Sequence, residues 1–258
     1  MKAVVVDFIS YRSSIKEALN RLNVKKVLSN HKSILIKPNL VQSSPPPVTT
    51  PVECCEAIIE FIRDNSMAKI VIAEGCGSID YETERVFNDL GYNELSERIN
   101  VPLIDLNTSK TLLLKNSKCS IFKEFNMPEI AMNHYIISVP VLKAHSLSKI
   151  TGSLKNMMGF APPRYYQAGG HWKKSLFHQR IHKSIQDLNR YRRADLTLMD
   201  ARVGLCDHHL GGRECDPPPG KIIGGYDPYE VDRIGAGLLG LDWMCIPHLF
   251  YDEGVNGV

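Results

Sequence analysis

The chain has 258 residues, of which 43% are hydrophobic and 23% charged, and its formal net charge is +3. That composition suits a packed core and excludes a disordered chain, and no apolar run approaches the ~20 residues that cross a bilayer. The apolar run 3–6 is short and is broken by Asp7, which makes a poor signal peptide, so a cytoplasmic protein with no membrane span is expected.

Residues 3–8 predict a first strand, and 14–22 a helix with Ile15, Leu19 and Leu22 on one face. Residues 33–36 form a compact apolar strand that ends at Lys37-Pro38-Asn39. The next helix is signalled by Thr50 as N-cap, Pro51 at the first helical position and Glu53 completing a capping box. A strand over 69–73 and a helix over 81–90, closed by Gly91, follow. Residues 101–106, 112–114 and 135–139 read as strands, the last ending at Pro140. Residues 176–192 predict one long helix with Phe177, Ile181, Ile185 and Leu188 toward the core. The final elements are strands over 196–199 and 221–223 and a helix over 229–239, with Asp227 as N-cap and Pro228 at the first position. Alternating strand and helix imply an α/β fold: a mostly parallel sheet with helices on both faces, in a single domain spanning 1–258 with an elaborated loop layer.

Residues 143–193 carry eleven Lys or Arg and one acid, Asp187, a local charge of +10. Such density costs self-repulsion unless an anion offsets it. In open parallel sheets ligands bind beyond the carboxyl ends of the strands. Lys37, Asn39, Glu74, Gly75, Lys143, His145 and Asp200 all follow such ends. Lys143-Ala144-His145 places an ammonium and an imidazole on one side of an extended segment, which suits holding an oxyanion while moving a proton. The Gly152-Ser153-Leu154-Lys155-Asn156 stretch reads as a turn into a short helix that presents backbone N–H groups to an anion. Gly75-Cys76-Gly77-Ser78 lacks the third glycine of a dinucleotide fingerprint and reads as a tight turn.

Seven cysteines, an odd number without any C-x-x-C, argue against a disulfide framework, a zinc ribbon or a ferredoxin-type cluster built by this chain. His178 and His182, four apart on the expected helix, have a geometry that can bind a divalent metal, and Cys206-Asp207-His208-His209 with Cys215 gathers ligand types within ten residues in a spacing that matches no defined metal pattern.

Ile36-Lys37-Pro38-Asn39-Leu40-Val41, Thr49-Thr50-Pro51 and the run from Ser138 to His145 resemble the family catalogued as domain of unknown function 362. The run from Thr151 to Gly159, the run from Asp195 to Asp200 and the run from Asp227 to Asp232 extend the resemblance over nearly the whole chain. The resemblance implies that Lys37, Asn39, Lys143, His145, Lys155, Asn156, His178, Asp200 and Asp232 belong together, without naming a reaction. Many members carry an appended ferredoxin-like module; this chain lacks those cysteine runs, so an iron–sulfur cluster is not expected in it.

Three functions compete on these residues. The first is an enzyme acting on a small anionic carboxylate or phosphate. Its catalytic groups would be Lys143, His145, His178 and Asp200, and its binding groups Lys37, Asn39, Gly152, Lys155, Asn156 and Asp232. In a redox version, an external ferredoxin-like partner donates electrons. The second is a metal-binding protein using His178 and His182 or the Cys206–Cys215 cluster. The third is a single-stranded nucleic-acid binder through residues 143–193, with Arg190, Arg192, Arg193, Tyr165, Tyr166, Trp172 and Tyr191 as its charged and stacking surface.

Overall fold

The computed structural model describes residues 2–250. Its strands are β1 (Val4–Asp7), β2 (Ser33–Pro38), β3 (Lys69–Glu74), β4 (Leu103–Asp105), β5 (Thr111–Lys115), β6 (Glu124–Pro128), β7 (Tyr135–Val139), β8 (Val141–His145), β9 (Lys149–Thr151), β10 (Leu196–Leu205) and β11 (Lys221–Gly225). Among the described residues the main sheet has nine strands, in the order β1-β11-β10-β7-β2-β3-β4, with β8 beside β10 and β9 beside β8. β10, β7, β2, β3 and β4 run parallel, and β11 joins β1 and β10 antiparallel. The fold is thus the expected α/β class, with β5 and β6 forming a separate antiparallel pair.

Side chains that alternate along each strand feed two cores, one on each face. Ile34 and Ile36 of β2, Ile137 of β7 and Leu198 of β10 pack with helices Tyr11–Arg21 and Val52–Asn65. Leu35, Ile136 and Met199 face the other way, toward helices Ile181–Tyr191 and Pro228–Leu238.

Three differences from the sequence reading shape the site. First, the chain does not leave the sheet at Pro140. Proline has no N–H to continue the ladder, but its carbonyl accepts from the Asp200 N–H at 2.9 Å. β8 then resumes along an extended β10, carrying Lys143 and His145 into the structure. Second, residues 176–192 do not form one helix. A 3-10 turn over Ser175–Arg180 precedes helix Ile181–Tyr191, separated by Arg180 at φ −144° and ψ 61°. Phe177, Ile181, Ile185 and Leu188 remain buried on one side across the break, so apolar spacing could not reveal it. Third, Thr50 is not an N-cap. Its hydroxyl donates to the Val139 carbonyl at 2.7 Å and accepts from the Asn39 N–H at 2.8 Å, tying the end of β2 to the end of β7. The predicted cap at Asp227 is present, accepting from the Tyr229 N–H at 3.0 Å.

Candidate functional site

A cleft of about 350 Å³ opens beyond the carboxyl ends of β2, β3 and β8. Asn39, Glu74, Gly75, Gly77, His145, Lys155 and Asn156 contribute its floor and sides, and Trp172, Lys174, His178, His208 and His209 also line it. The volume matches that of small-ligand sites.

Two lysines support the cleft from behind without lining it. Lys37 is fully buried, and its Nζ donates to Glu74 Oε1 at 2.8 Å, the Pro38 carbonyl at 3.1 Å and Asn156 Oδ1 at 3.2 Å. Burial lowers its pKa and Glu74 works against that shift. Lys143 Nζ donates to Asn39 Oδ1 at 2.7 Å and the Val48 carbonyl at 2.5 Å. Burial and the nearby Lys155 charge lower the Lys143 pKa to about 7. Both therefore orient a lining amide rather than reach a ligand directly.

Glu74 is the lining carboxylate, and its oxygens are occupied. Oε1 accepts from Lys37 and from the Gly75 N–H, and Oε2 from the Leu40 N–H at 3.0 Å. Gly159 lies directly over this pair; a Cβ there would sit 2.1 Å from Glu74 Oε1 and 2.6 Å from Lys37 Nζ.

Lys155 differs from its neighbours. It lines the cleft and has no hydrogen bond or ion pair among the described residues. Burial and the Lys37 charge lower its pKa to about 8. Its backbone is fixed by helix Ser153–Asn156, whose first N–H groups are not offered to an anion as the sequence suggested. Asp232 already accepts from the Ser153 N–H at 2.6 Å and the Leu154 N–H at 2.9 Å. Burial raises the Asp232 pKa to about 7 despite those bonds. Gly152 and Asp232 are thus positioning residues away from the cleft wall.

Asp200 is a correction. It is buried in contact with Tyr11, whose hydroxyl donates to it at 2.8 Å, and with the Arg202 N–H, and it does not line the cleft. It left β10 in the expected place, but β10 continues past it and its side chain packs toward helix Tyr11–Arg21.

The histidines divide into two groups. His145 Nδ1 accepts the Leu147 and Ser148 N–H groups at 3.1 and 3.2 Å, so in the neutral ring the proton sits on Nε2. Burial, and then the Lys155 charge, hold its pKa far below the usual histidine range. The neutral His145 ring thus carries its N–H at Nε2, among the residues that line the cleft. His209 stacks on it with ring centroids 3.9 Å apart, and His209 Nδ1 is buried without a partner. His178 lines the cleft beside Trp172 and has no hydrogen-bond partner among the described residues. Burial and Lys155 keep it neutral below its usual pKa. His178 and His209 thus each bring a ring nitrogen without a partner among the described residues to the cleft.

The break at Arg180 sends His182 elsewhere: its Nδ1 lies 2.8 Å from His248 Nδ1, so His178 and His182 do not form a ligand pair. Cys206 and Cys215, candidate metal ligands in the sequence, are instead joined in a disulfide, with Cα atoms 5.2 Å apart. The extension of β10 and the Leu205–Glu214 bridge place them opposite one another. Among the described residues no three His, Cys, Asp or Glu are arranged to hold a metal. The single-strand surface also disperses. Tyr166 is buried, Trp172 lines the cleft, and the Arg192 guanidinium is engaged by the Ala131 and His134 carbonyls and by Asp195.

Lys174 is not marked by the sequence as a site residue, and Trp172 is marked there only as a stacking surface for single strands. Lys174 Nζ bonds Asn107 Oδ1, and burial lowers its pKa to about 7. The signal available was the basic pair Lys173-Lys174 next to an aromatic, inside the most basic stretch of the chain. His208 and His209 were noticed as metal candidates; the structure turns both rings to the cleft instead.

Depressed histidine pKa values make stability fall as pH drops below the unfolded value of about 6.5, because only the unfolded chain takes up those protons freely. His209→Phe keeps a ring on His145 and removes one titrating group. Its melting temperature is expected to decline less steeply than that of the parent between about pH 6.5 and 5, as read by a melting series across that range.

Fold and site together define an α/β protein with a cationic, histidine-walled cleft at the carboxyl edge of its parallel strands. A family model described as Domain of unknown function (DUF362) matches residues 34–237, and the chain belongs to that family. The fold is similar to the lactate racemase apoprotein from Thermoanaerobacterium thermosaccharolyticum, with a TM-score of 0.55 and 12% identity over 91% of this chain and 56% of that one. It is also similar to a protein from Thermotoga maritima, with a TM-score of 0.53 and 10% identity over 92% of this chain and 61% of that one. The chain thus spans less than two thirds of either structure, and the likeness is one of fold. No curated protein matches the sequence. No helix among the described residues is long and apolar enough to cross a membrane.

Proposed function

We propose that the chain is an enzyme whose cleft binds a small carboxylate and moves a proton on it. One observation carries this reading: the cleft gathers unpaired donors, while both oxygens of its lining carboxylate already accept hydrogen bonds from the chain. Those donors are the Lys155 ammonium, the His145 Nε2–H and the Asn39 Nδ2, whose partner atom Oδ1 is held by Lys143. An anion satisfies all three. His178 supplies a neutral ring nitrogen that can accept a proton from the bound molecule and return it.

A singly charged carboxylate fits better than a phosphate. Lys155 is the lining lysine without a partner; Lys174 is bound to Asn107, and the helix N–H groups that would cradle phosphate are taken by Asp232. Val41, Leu147, Met158 and Leu210 add an apolar wall for a short carbon chain. The likeness to a lactate racemase apoprotein is in keeping with a small hydroxy acid as ligand.

The test is a thermal-shift panel of lactate, other short carboxylates and inorganic phosphate at low salt. A ligand at about 100 times its Kd stabilises by about 2.7 kcal/mol, which is several degrees for a chain of this size. Carboxylates are expected to produce that gain, phosphate a smaller one, and Lys155→Met to abolish it. No gain with any carboxylate, or an undiminished gain in Lys155→Met, overturns the proposal.

A further inference from the structure

Among the described residues, the buried lysines at this edge of the sheet each have a partner. Lys37 has Glu74, Lys143 has Asn39 and the Val48 carbonyl, Lys173 has Glu82 and the Tyr81 carbonyl, and Lys174 has Asn107. Lys155 has none, although it lines the cleft and is rooted in a helical turn fixed by Asp232. A lysine built only to hold an anion is better served by acceptors around it, which keep it charged. Here the charge that acts on it is cationic, that of Lys37, and Lys155 in turn lowers the pKa of Lys143, where Glu74 works against it, and of His145 and His178. A partly buried lysine beside another cation is an arrangement that favours a free amine for attack on carbonyl carbon.

We infer that Lys155 is a nucleophile that forms an imine with the keto group of a 2-oxo carboxylate bound in the cleft. The inference rests on the carboxylate reading and extends it from binding to a covalent step. The Lys155 amine nitrogen attacks the carbonyl carbon, and the carbonyl electron pair moves to oxygen. His178 takes the proton released from nitrogen and returns it to that oxygen, giving a carbinolamine. A proton taken from solvent, equal in number to the one the Lys155 ammonium gave up before attack, reaches the hydroxyl, which leaves as water while the nitrogen lone pair forms the C=N bond; no oxidant or reductant is consumed. The carboxylate stays on the His145 Nε2–H and the Asn39 amide, while the iminium keeps the positive charge that the ammonium carried. The pKa of about 8 at Lys155 leaves an appreciable fraction of free amine near neutral pH.

The experiment is reductive trapping of the whole chain with pyruvate and sodium cyanoborohydride, followed by peptide mass mapping. The expected product is a carboxyethyl group on Lys155, formed faster as pH rises from about 6 to 8, blocked by excess lactate and absent from Lys155→Met. Adducts scattered over exposed lysines without preference for Lys155 overturn the inference. If lactate still raises the melting temperature in that case, the binding proposal stands and only the covalent step falls. If lactate gives no gain either, both fall. Mapping the parent chain with and without lactate decides the matter even where Lys155→Met fails to fold.

Discussion

Glu74→Gln is expected to be among the most damaging single substitutions in the chain, costing about 3–5 kcal/mol. The Lys37–Glu74 pair is buried on both sides, with side-chain exposures of 0% and 4%. Removing the carboxylate leaves a buried ammonium whose remaining partners are the Pro38 carbonyl and Asn156 Oδ1. It also turns an amide NH₂ toward either the Leu40 N–H or the Lys37 ammonium, since both Glu74 oxygens accept. At this chain length the loss corresponds to a fall in melting temperature on the order of 10 °C. The sign of its pH dependence is fixed as well. Glu74 opposes the burial that lowers the Lys37 pKa, so without it the lysine deprotonates more readily in the folded state. The deficit is therefore expected to shrink as pH rises toward 9, because folding with neutral Lys37 becomes cheaper. Lys37→Met combined with Glu74→Gln is expected to be milder than Glu74→Gln alone, since no unpaired charge remains. Chemical denaturation of the three variants at two pH values checks each part.

Gly152→Ala should be nearly as severe, at roughly 2–4 kcal/mol. A Cβ at Gly152 would lie 2.3 Å from Asp232 Oδ1 and 2.4 Å from its Cγ, so the carboxylate must move. Moving it strips the acceptor from the buried Ser153 and Leu154 N–H groups. Because Lys155 and Asn156 ride on the turn those bonds hold, the carboxylate-induced thermal gain is expected to vanish along with stability. Gly237→Ala is the control. That glycine is exposed in helix Pro228–Leu238, with nothing within 4 Å of an added Cβ, and the change is expected to stabilise by about 0.5–1 kcal/mol. A Gly152→Ala chain as stable as the parent would show that Asp232 does not fix the turn.

Much of this was legible in the sequence because local rules govern it. Apolar runs and their punctuation by Pro38 and Pro140 marked parallel strands, and strand ends marked the edge where Asn39, His145, Lys155 and Asn156 meet. What was not legible depended on partners far along the chain. Nothing near Gly152 announces that a carboxylate 80 residues on, Asp232, occupies its helix start. Nothing near Asp200 announces Tyr11. The tautomer of His145 follows from two backbone N–H groups in the turn that β8 and β9 form, and β8 itself was hidden behind a proline. The Cys206–Cys215 bond likewise depends on β10 running six residues beyond the point where its apolar pattern stops.

The full occupancy of Glu74 has a practical consequence. A cleft with donors to fill and no carboxylate to spare does not discriminate strongly against simple halides, which are small, singly charged and abundant in ordinary buffers. Chloride is expected to compete for the same donors, so dissociation constants taken in sodium chloride will understate the true affinity. Titrations in the salt of a bulky, weakly coordinating anion at matched ionic strength separate that competition from simple screening.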